Sequence, residues 1–338
     1  MLPAIFGLSG LTLTDDECAF FRDCDPAGYI LFGRNVESRA QIRALTDELR
    51  NLHGRDRTFI CIDQEGGRVA RMKPPVWAAY PPGERFDRLY DLAPASAIEA
   101  ARANAHALGL DLAEVGISVD CLPLLDVRQP GAHDVIGDRA LGAEPRRVAA
   151  LGRATLDGLG RAGVAGVIKH MPGHGRALVD SHKELPTVTA SAEELALDIE
   201  PFRVLKDAAI AMTAHVRFTA WDADNPATHS AFVVEQIIRQ AIGFDGLLLT
   251  DDLDMQALGD TVPERAARAQ VAGCDIALNC WAKMDDMVGI AHALAPMSVL
   301  TKARLDRALA PTAAFDGPAD LAEQAPLFAT RDRLLDLA

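Results

Sequence analysis

Residues 246–255 read GLLLTDDLDM, an apolar run that ends in two adjacent carboxylates, Asp251 and Asp252. A run with no polar alternation suits a strand buried on both faces, as a parallel sheet covered by helices requires. The same design recurs in AIFGLSG at 4–10, GYILFG at 28–33, TFICID at 58–63, ISVDCLPLLDV at 117–127, GVAGVIKH at 163–170, AAIAMTAH at 208–215 and CDIALNC at 274–280. Polar residues gather where these runs end: Arg34 and Asn35, then Asp63, Gln64 and Glu65, Asp126, Lys169 and His170, His215, and the Asp251–Asp252 pair.

The intervening segments have helical spacing. Four of them open on S/T-x-x-E/Q capping boxes, at Thr14 to Glu17, Ser38 to Gln41, Ser191 to Glu194 and Thr261 to Glu264. Eight strand candidates alternating with helices, without a long linker, predict an α/β chain forming a single (β/α)8 TIM-type barrel over 1–338. An open doubly wound sheet is the alternative. The polar run endings favour the barrel, because strand C-termini form the mouth of a barrel enzyme. Residues 316–338 are expected to be a loosely packed C-terminal tail.

The chain has 338 residues, 49% of them hydrophobic, enough for a large core. With 48 acidic against 34 basic residues the formal charge is −14, which disfavours nucleic-acid and anionic-membrane partners. Six cysteines without CxxC spacing read as free thiols in a reducing compartment. No basic, apolar leader opens the sequence, and no segment has ~20 uninterrupted apolar residues. A cytoplasmic protein, as a monomer or weak homo-oligomer with a small-molecule substrate, is expected.

The stretch KHMPGHGRALVDSH at 169–182 carries His170, His174 and His182. Three imidazoles invite a metal, but an i, i+4 pair needs a helix, and Pro172 and Gly173 disfavour one there. No metal is expected. Asp180 and His182 form an Asp-x-His pair in which the carboxylate would orient the imidazole for proton transfer. A surface loop histidine that merely lies near an aspartate is the other reading. In GLLLTDDLDM, adjacent residues leaving a strand point in different directions, so one aspartate can face the barrel axis as a nucleophile while the other caps the next helix. That both cap the next helix is the alternative. In IDQEGGRVARM at 62–72, Asp63, two glycines, Arg68 and Arg71 suit hydroxyl-rich ligands, phosphates and carboxylates equally.

Taken together, GYILFGRNV, IDQEGGRVARM, VIGDRALG, KHMPGHG followed by DSH, MTAHV with PATHS, and TDDLDM resemble the bacterial β-N-acetylhexosaminidases of glycoside hydrolase family 3. The ordered set covers about residues 5–280. The resemblance implies a retaining exo-β-N-acetylglucosaminidase, without cofactor, that releases N-acetylglucosamine from the non-reducing end of cytoplasmic N-acetylglucosaminyl-1,6-anhydro-N-acetylmuramyl peptides during peptidoglycan recycling. It implies Asp251 as catalytic nucleophile, His182 as general acid/base and Asp180 as its partner. It also implies that Asp63, Arg71, Arg139, Lys169 and His170 hold the sugar. Met171 stands where the family commonly has phenylalanine, and Asp254 where it often has serine; Asp254 puts a further negative charge near the nucleophile. A β-glucosidase of the same family, a metal-dependent barrel hydrolase and a non-catalytic sugar-binding protein are the alternatives.

Overall fold

The structure is a computed structural model that describes residues 1–55, 57–181, 183–312 and 321–338. Its strands are β1 (Leu2–Gly7), β2 (Pro26–Leu31), β3 (Phe59–Ile62), β4 (Val119–Asp120), β5 (Ala165–Met171), β6 (Thr187–Val188), β7 (Ile210–Thr213), β8 (Arg217–Phe218), β9 (Leu247–Asp252) and β10 (Ile276–Asn279). Eight of them close a barrel in the order β1-β10-β9-β7-β5-β4-β3-β2, every neighbouring pair parallel. The two short strands β6 and β8 pair separately beside it.

Strand periodicity of two divides the core. Ile30, Cys61, Val167, Met212, Leu249 and Leu278 fill the barrel interior. Their neighbours, such as Leu31, Ile60 and Ile168, pack outward under the helices. This double burial is what made the strands read as unbroken apolar runs.

The helix starts follow the expected chemistry. Thr14 and Glu17 form a reciprocal box, as do Ser191 and Glu194, and Thr261 donates to Glu264 from both its N–H and its hydroxyl. At Ser38 the hydroxyl accepts from Gln41 N, but the Gln41 side chain reaches Glu37 N instead of closing the box.

Two segments differ from expectation. The run at 117–127 supplies only a two-residue strand. Pro123 has no N–H for the ladder. Pairing with β5 continues as an isolated bridge between Leu124 and Lys169, with Leu125 N donating to Lys169 O at 2.6 Å. The C-terminal tail, expected to be loose, is instead a helix over Gln324–Leu335. Leu327, Phe328, Arg331, Leu334 and Leu335 fall on one helical face, which packs against the core. Gln324 Nε2 and Arg331 Nη1 donate to Ala107 O at 2.9 Å and Asn104 Oδ1 at 3.3 Å. Residues 316–320 lie outside the described residues.

All six cysteines are free. Among the described residues no helix is long and apolar enough to cross a membrane.

Candidate active site

Parallel closure brings the C-terminal ends of all eight barrel strands to one face, so that of the polar run endings Asp63, Glu65, Lys169, His170, Asp251 and Asp252 meet around a cavity of about 260 Å³. Asp63, Arg71, Arg139, Lys169, His170 and Asp251 all line it, contributed by the ends of β3, β5 and β9 and by the loops after β3 and β4. Asp180 belongs to the loop that follows β5, where its carbonyl accepts from Lys183 N at 2.9 Å and Glu184 N at 3.1 Å. His182 lies outside the described residues.

One wall is a charge cluster. Asp63 accepts from Arg71 Nη2 and Lys169 Nζ, each at 3.1 Å. Glu65 accepts from Lys169 Nζ at 2.7 Å and takes a two-pronged contact from Arg139, Nε and Nη2 both at 2.7 Å. The turn between them depends on its glycines: Gly66 and Gly67 have φ of +100° and +54°, and a Cβ on Gly66 would strike the Pro81 carbonyl. Gln64 ties the turn down, its side-chain carbonyl accepting from Arg71 N at 2.8 Å and Met72 N at 3.0 Å. Arg68 reaches across to Asp138 at 2.8 Å and to the Asp134 and Val135 carbonyls at 2.7 and 2.8 Å, bracing the loop that delivers Arg139.

Asp251 ends β9 on the opposite side. Burial by itself would raise its carboxyl, but the facing His170 and His215 imidazoles, the Asp252 N–H and the Lys169 ammonium outweigh burial and hold the pKa at about 2. It is a carboxylate at any working pH. His170 Nε2 stands 4.0 Å from Asp251 Oδ2. The other edge of that ring is fixed, because Nδ1 lies 2.8 Å from Asp126 Oδ2 and an ionised carboxylate can only accept. Asp126 is wholly buried and also accepts from His170 N and His174 N, at 3.1 and 2.7 Å. Burial pushes its carboxyl up, but His170 and His174 together more than offset this, His170 foremost, and it stays below the usual carboxylate range.

His215 has its tautomer set by its neighbours. Its Nε2 is 3.0 Å from the Asp252 carbonyl, which only accepts, so Nε2 carries a proton, and Nδ1 lies 2.7 Å from Thr228 Oγ1. His174 is 3% exposed, and burial lowers it to about 4, so it is neutral; its Nε2 meets Ser181 Oγ at 3.0 Å. Residues 172–175 are not helical, so His170 and His174 do not share a helix face. Among the described residues no group of three or more His, Cys, Asp or Glu side chains is arranged to hold a metal ion.

The Asp251–Asp252 pair splits, though not as expected. Asp252 caps no helix; Thr261 opens the next one. Its Oδ1 accepts instead from Asp254 N at 3.1 Å and Cys280 N at 3.2 Å. Asp254 turns away from the nucleophile candidate toward the end of β10, where Oδ2 accepts from Asn279 Nδ2, Cys280 N and Trp281 N at 2.7, 3.1 and 3.2 Å. Its charge falls on Asp252, whose carboxyl rises to about 7 through burial first and Asp254 second.

An unfolded aspartate ionises near ~3.9, so Asp252 favours the folded state most below that pH and loses the benefit as pH climbs to about 7. Asp252→Asn keeps an acceptor for both N–H groups. It is expected to raise Tm by a few degrees at pH 7.5 and by less at pH 4, read by thermal melts; an equal shift at both would refute the raised carboxyl.

The chain matches the glycosyl hydrolase family 3 N terminal domain over residues 12–311. The chain belongs to glycoside hydrolase family 3. It is 36% identical to a beta-hexosaminidase of Bordetella avium and 38% identical to one of Alkalilimnicola ehrlichii, each match covering 82% of this chain and 80% of the relative. Within the family it is a β-N-acetylhexosaminidase. The structure of NagZ from Neisseria gonorrhoeae in complex with N-trifluoroacetyl-D-glucosamine superposes with a TM-score of 0.86 at 31% identity, over 100% of this chain and 98% of that one.

Sequence reading assigned no role to three residues of this family 3 site: Glu65, Asp126 and His215. Each stood at the end of an apolar run, and that position was the signal. What the sequence lacked was any sign of which strand end faces which, since Asp126 and His170 are 44 positions apart.

Proposed function

We propose that this family 3 enzyme removes N-acetylglucosamine, with retention of configuration, from the non-reducing end of cell-wall fragments of the N-acetylglucosaminyl-1,6-anhydro-N-acetylmuramyl peptide type. Asp251 attacks the anomeric carbon while His182, oriented by Asp180, protonates the departing oxygen; water then hydrolyses the glycosyl-enzyme with His182 as base. Asp63, Arg71, Arg139, Lys169 and His170 hold the sugar. Six unpaired cysteines support a reducing, cytoplasmic setting.

The observation that carries this reading is the ionised Asp251 carboxylate facing, across one cavity, a cluster of carboxylates and cations suited to sugar hydroxyls. The glucosamine derivative in the gonococcal NagZ complex supports the same choice of ligand. Retaining glycosidases ordinarily use two carboxyl groups ~5 to 5.5 Å apart. A histidine acid avoids the like-charge repulsion that a second carboxyl would meet beside Asp251.

The test is hydrolysis of a disaccharide cell-wall fragment followed by NMR. The first product is expected to be the β-anomer of N-acetylglucosamine; initial appearance of the α-anomer would rule out the double displacement. Faster release from glucosides than from N-acetylglucosaminides would instead favour the β-glucosidase reading.

A further inference from the structure

Glu65 is the one carboxylate of the charged wall whose bonding is spent almost entirely on protein. Its side chain is 4% exposed, against 19% for Asp63, and its oxygens already accept three N–H groups from Lys169 and Arg139. A carboxylate has about four lone-pair sites, so little is left for a ligand.

We propose that Glu65 is a positioning residue for the reaction, setting which N–H donors of Arg139 and Lys169 are left for the sugar and keeping Lys169 a cation. This rests on the reading that Lys169 and Arg139 hold the sugar.

The donor arithmetic shows what Glu65 does. A guanidinium has five N–H groups; Arg139 gives two to Glu65 and one to the Val135 carbonyl at 3.0 Å. That leaves one on each terminal nitrogen. An ammonium has three; Lys169 gives one to Glu65 and one to Asp63, leaving one. Both cations line the cavity, so these three donors form a fixed set for hydroxyl and carbonyl oxygens. Without Glu65 the Arg139 fork loses both contacts that lock its plane, and only the Val135 contact remains.

The charge argument is independent of the donor count. Burial presses Lys169 toward its neutral form, and Glu65 is the strongest influence against it, ahead of Asp63 and Cys121; Arg139 opposes. Asp120 from β4 and Asp251 from β9 also sense the Lys169 charge. With all of them present, Lys169 stays protonated well beyond the working range. Removing the Glu65 charge removes the largest support, so Lys169 deprotonates at lower pH, and sugar binding weakens as pH rises.

The experiment measures the affinity of N-acetylglucosamine itself by calorimetry from pH 6 to 9.5, in wild type, Glu65→Gln, Glu65→Asp and Lys169→Met, each with a thermal melt. Wild type should show little dependence on pH. Glu65→Gln should bind about 10-fold more weakly at pH 6 and progressively worse toward pH 9.5, while Glu65→Asp, which keeps the charge, restores the flat profile. If Lys169→Met binds like wild type, the sugar-holding reading itself is wrong. If Lys169→Met loses affinity but Glu65→Gln is indistinguishable from wild type, the Glu65 proposal alone is overturned. A uniform loss in Glu65→Gln with no new pH dependence would reduce Glu65 to packing and also overturn it. Should Glu65→Gln not melt cooperatively, Glu65→Gln combined with Lys169→Met decides: recovery of a cooperative melt supports Glu65 as the partner that keeps buried Lys169 a cation, and continued failure to fold contradicts it.

Discussion

Asp251→Asn is expected to abolish turnover of every β-N-acetylglucosaminide, whatever its leaving group, with a fall in kcat/KM of about 10⁴-fold or more, equivalent to ~5 kcal/mol of transition-state stabilisation. The amide is nearly isosteric, so it keeps the acceptor for Asp252 N, 2.8 Å from Oδ1, and the fold survives. What disappears is the anion. Against burial, His170, His215, the Asp252 N–H and Lys169 favour the charged form, and the pKa of about 2 leaves it ionised throughout the activity range. A basic nucleophile is not what this environment makes; it makes one that is always available. Titration of Asp251 therefore contributes no acid limb above about pH 3. Turnover surviving in Asp251→Asn with an activated aryl substrate would remove Asp251 from the nucleophile's role, and trapping of a glycosyl-enzyme on another residue would reassign it.

The second large effect concerns His182→Ala. A positioned general acid supplies about 10²- to 10⁴-fold, so hydrolysis of a disaccharide, whose leaving alkoxide needs a proton, should fall by that factor. An aryl glycoside with a very good leaving group needs little protonation. It should still release its phenol in a rapid first turnover, after which the glycosyl-enzyme accumulates because no base activates water. Stopped-flow detection of the phenol, with mass spectrometry of the trapped intermediate, reads both steps. Loss of the burst in a folded variant would mean that His182 does more than transfer protons; equal losses for good and poor leaving groups would remove it from that role. In wild type the same residue predicts an alkaline limb in kcat/KM, since only the protonated imidazole can act as acid. That limb should vanish in His182→Ala.

Much of the architecture was legible because its signal is local. A strand buried on both faces must be apolar throughout, and a helix start must satisfy its own N–H groups, so GLLLTDD and the box from Ser191 to Glu194 each announce their structure within a few residues. Where local signals conflicted, reading along the chain went astray. ISVDCLPLLDV is apolar enough for a long strand, but Pro123 interrupts its ladder. The final helix looked like a loose end because its flanking segment is polar and holds Gly and Pro, whereas its Leu327, Leu334 and Leu335 face becomes informative only when there is a core to receive it.

The site divides in the same way. The sequence by itself determined which residue types stand at strand ends, and parallel closure makes those ends converge; Asp63, Lys169, His170 and Asp251 were therefore nameable without coordinates. Only the tertiary structure decided their pairings. Asp126 orienting His170, Asp254 reaching the end of β10 instead of Asp251, and Glu65 holding Arg139 are contacts across 44, 26 and 74 positions of chain. Their strength depends on distances of a few ångströms and on the exclusion of water. Neither quantity is encoded in the spacing of residues along one strand; both arise when the barrel closes and buries the charges together.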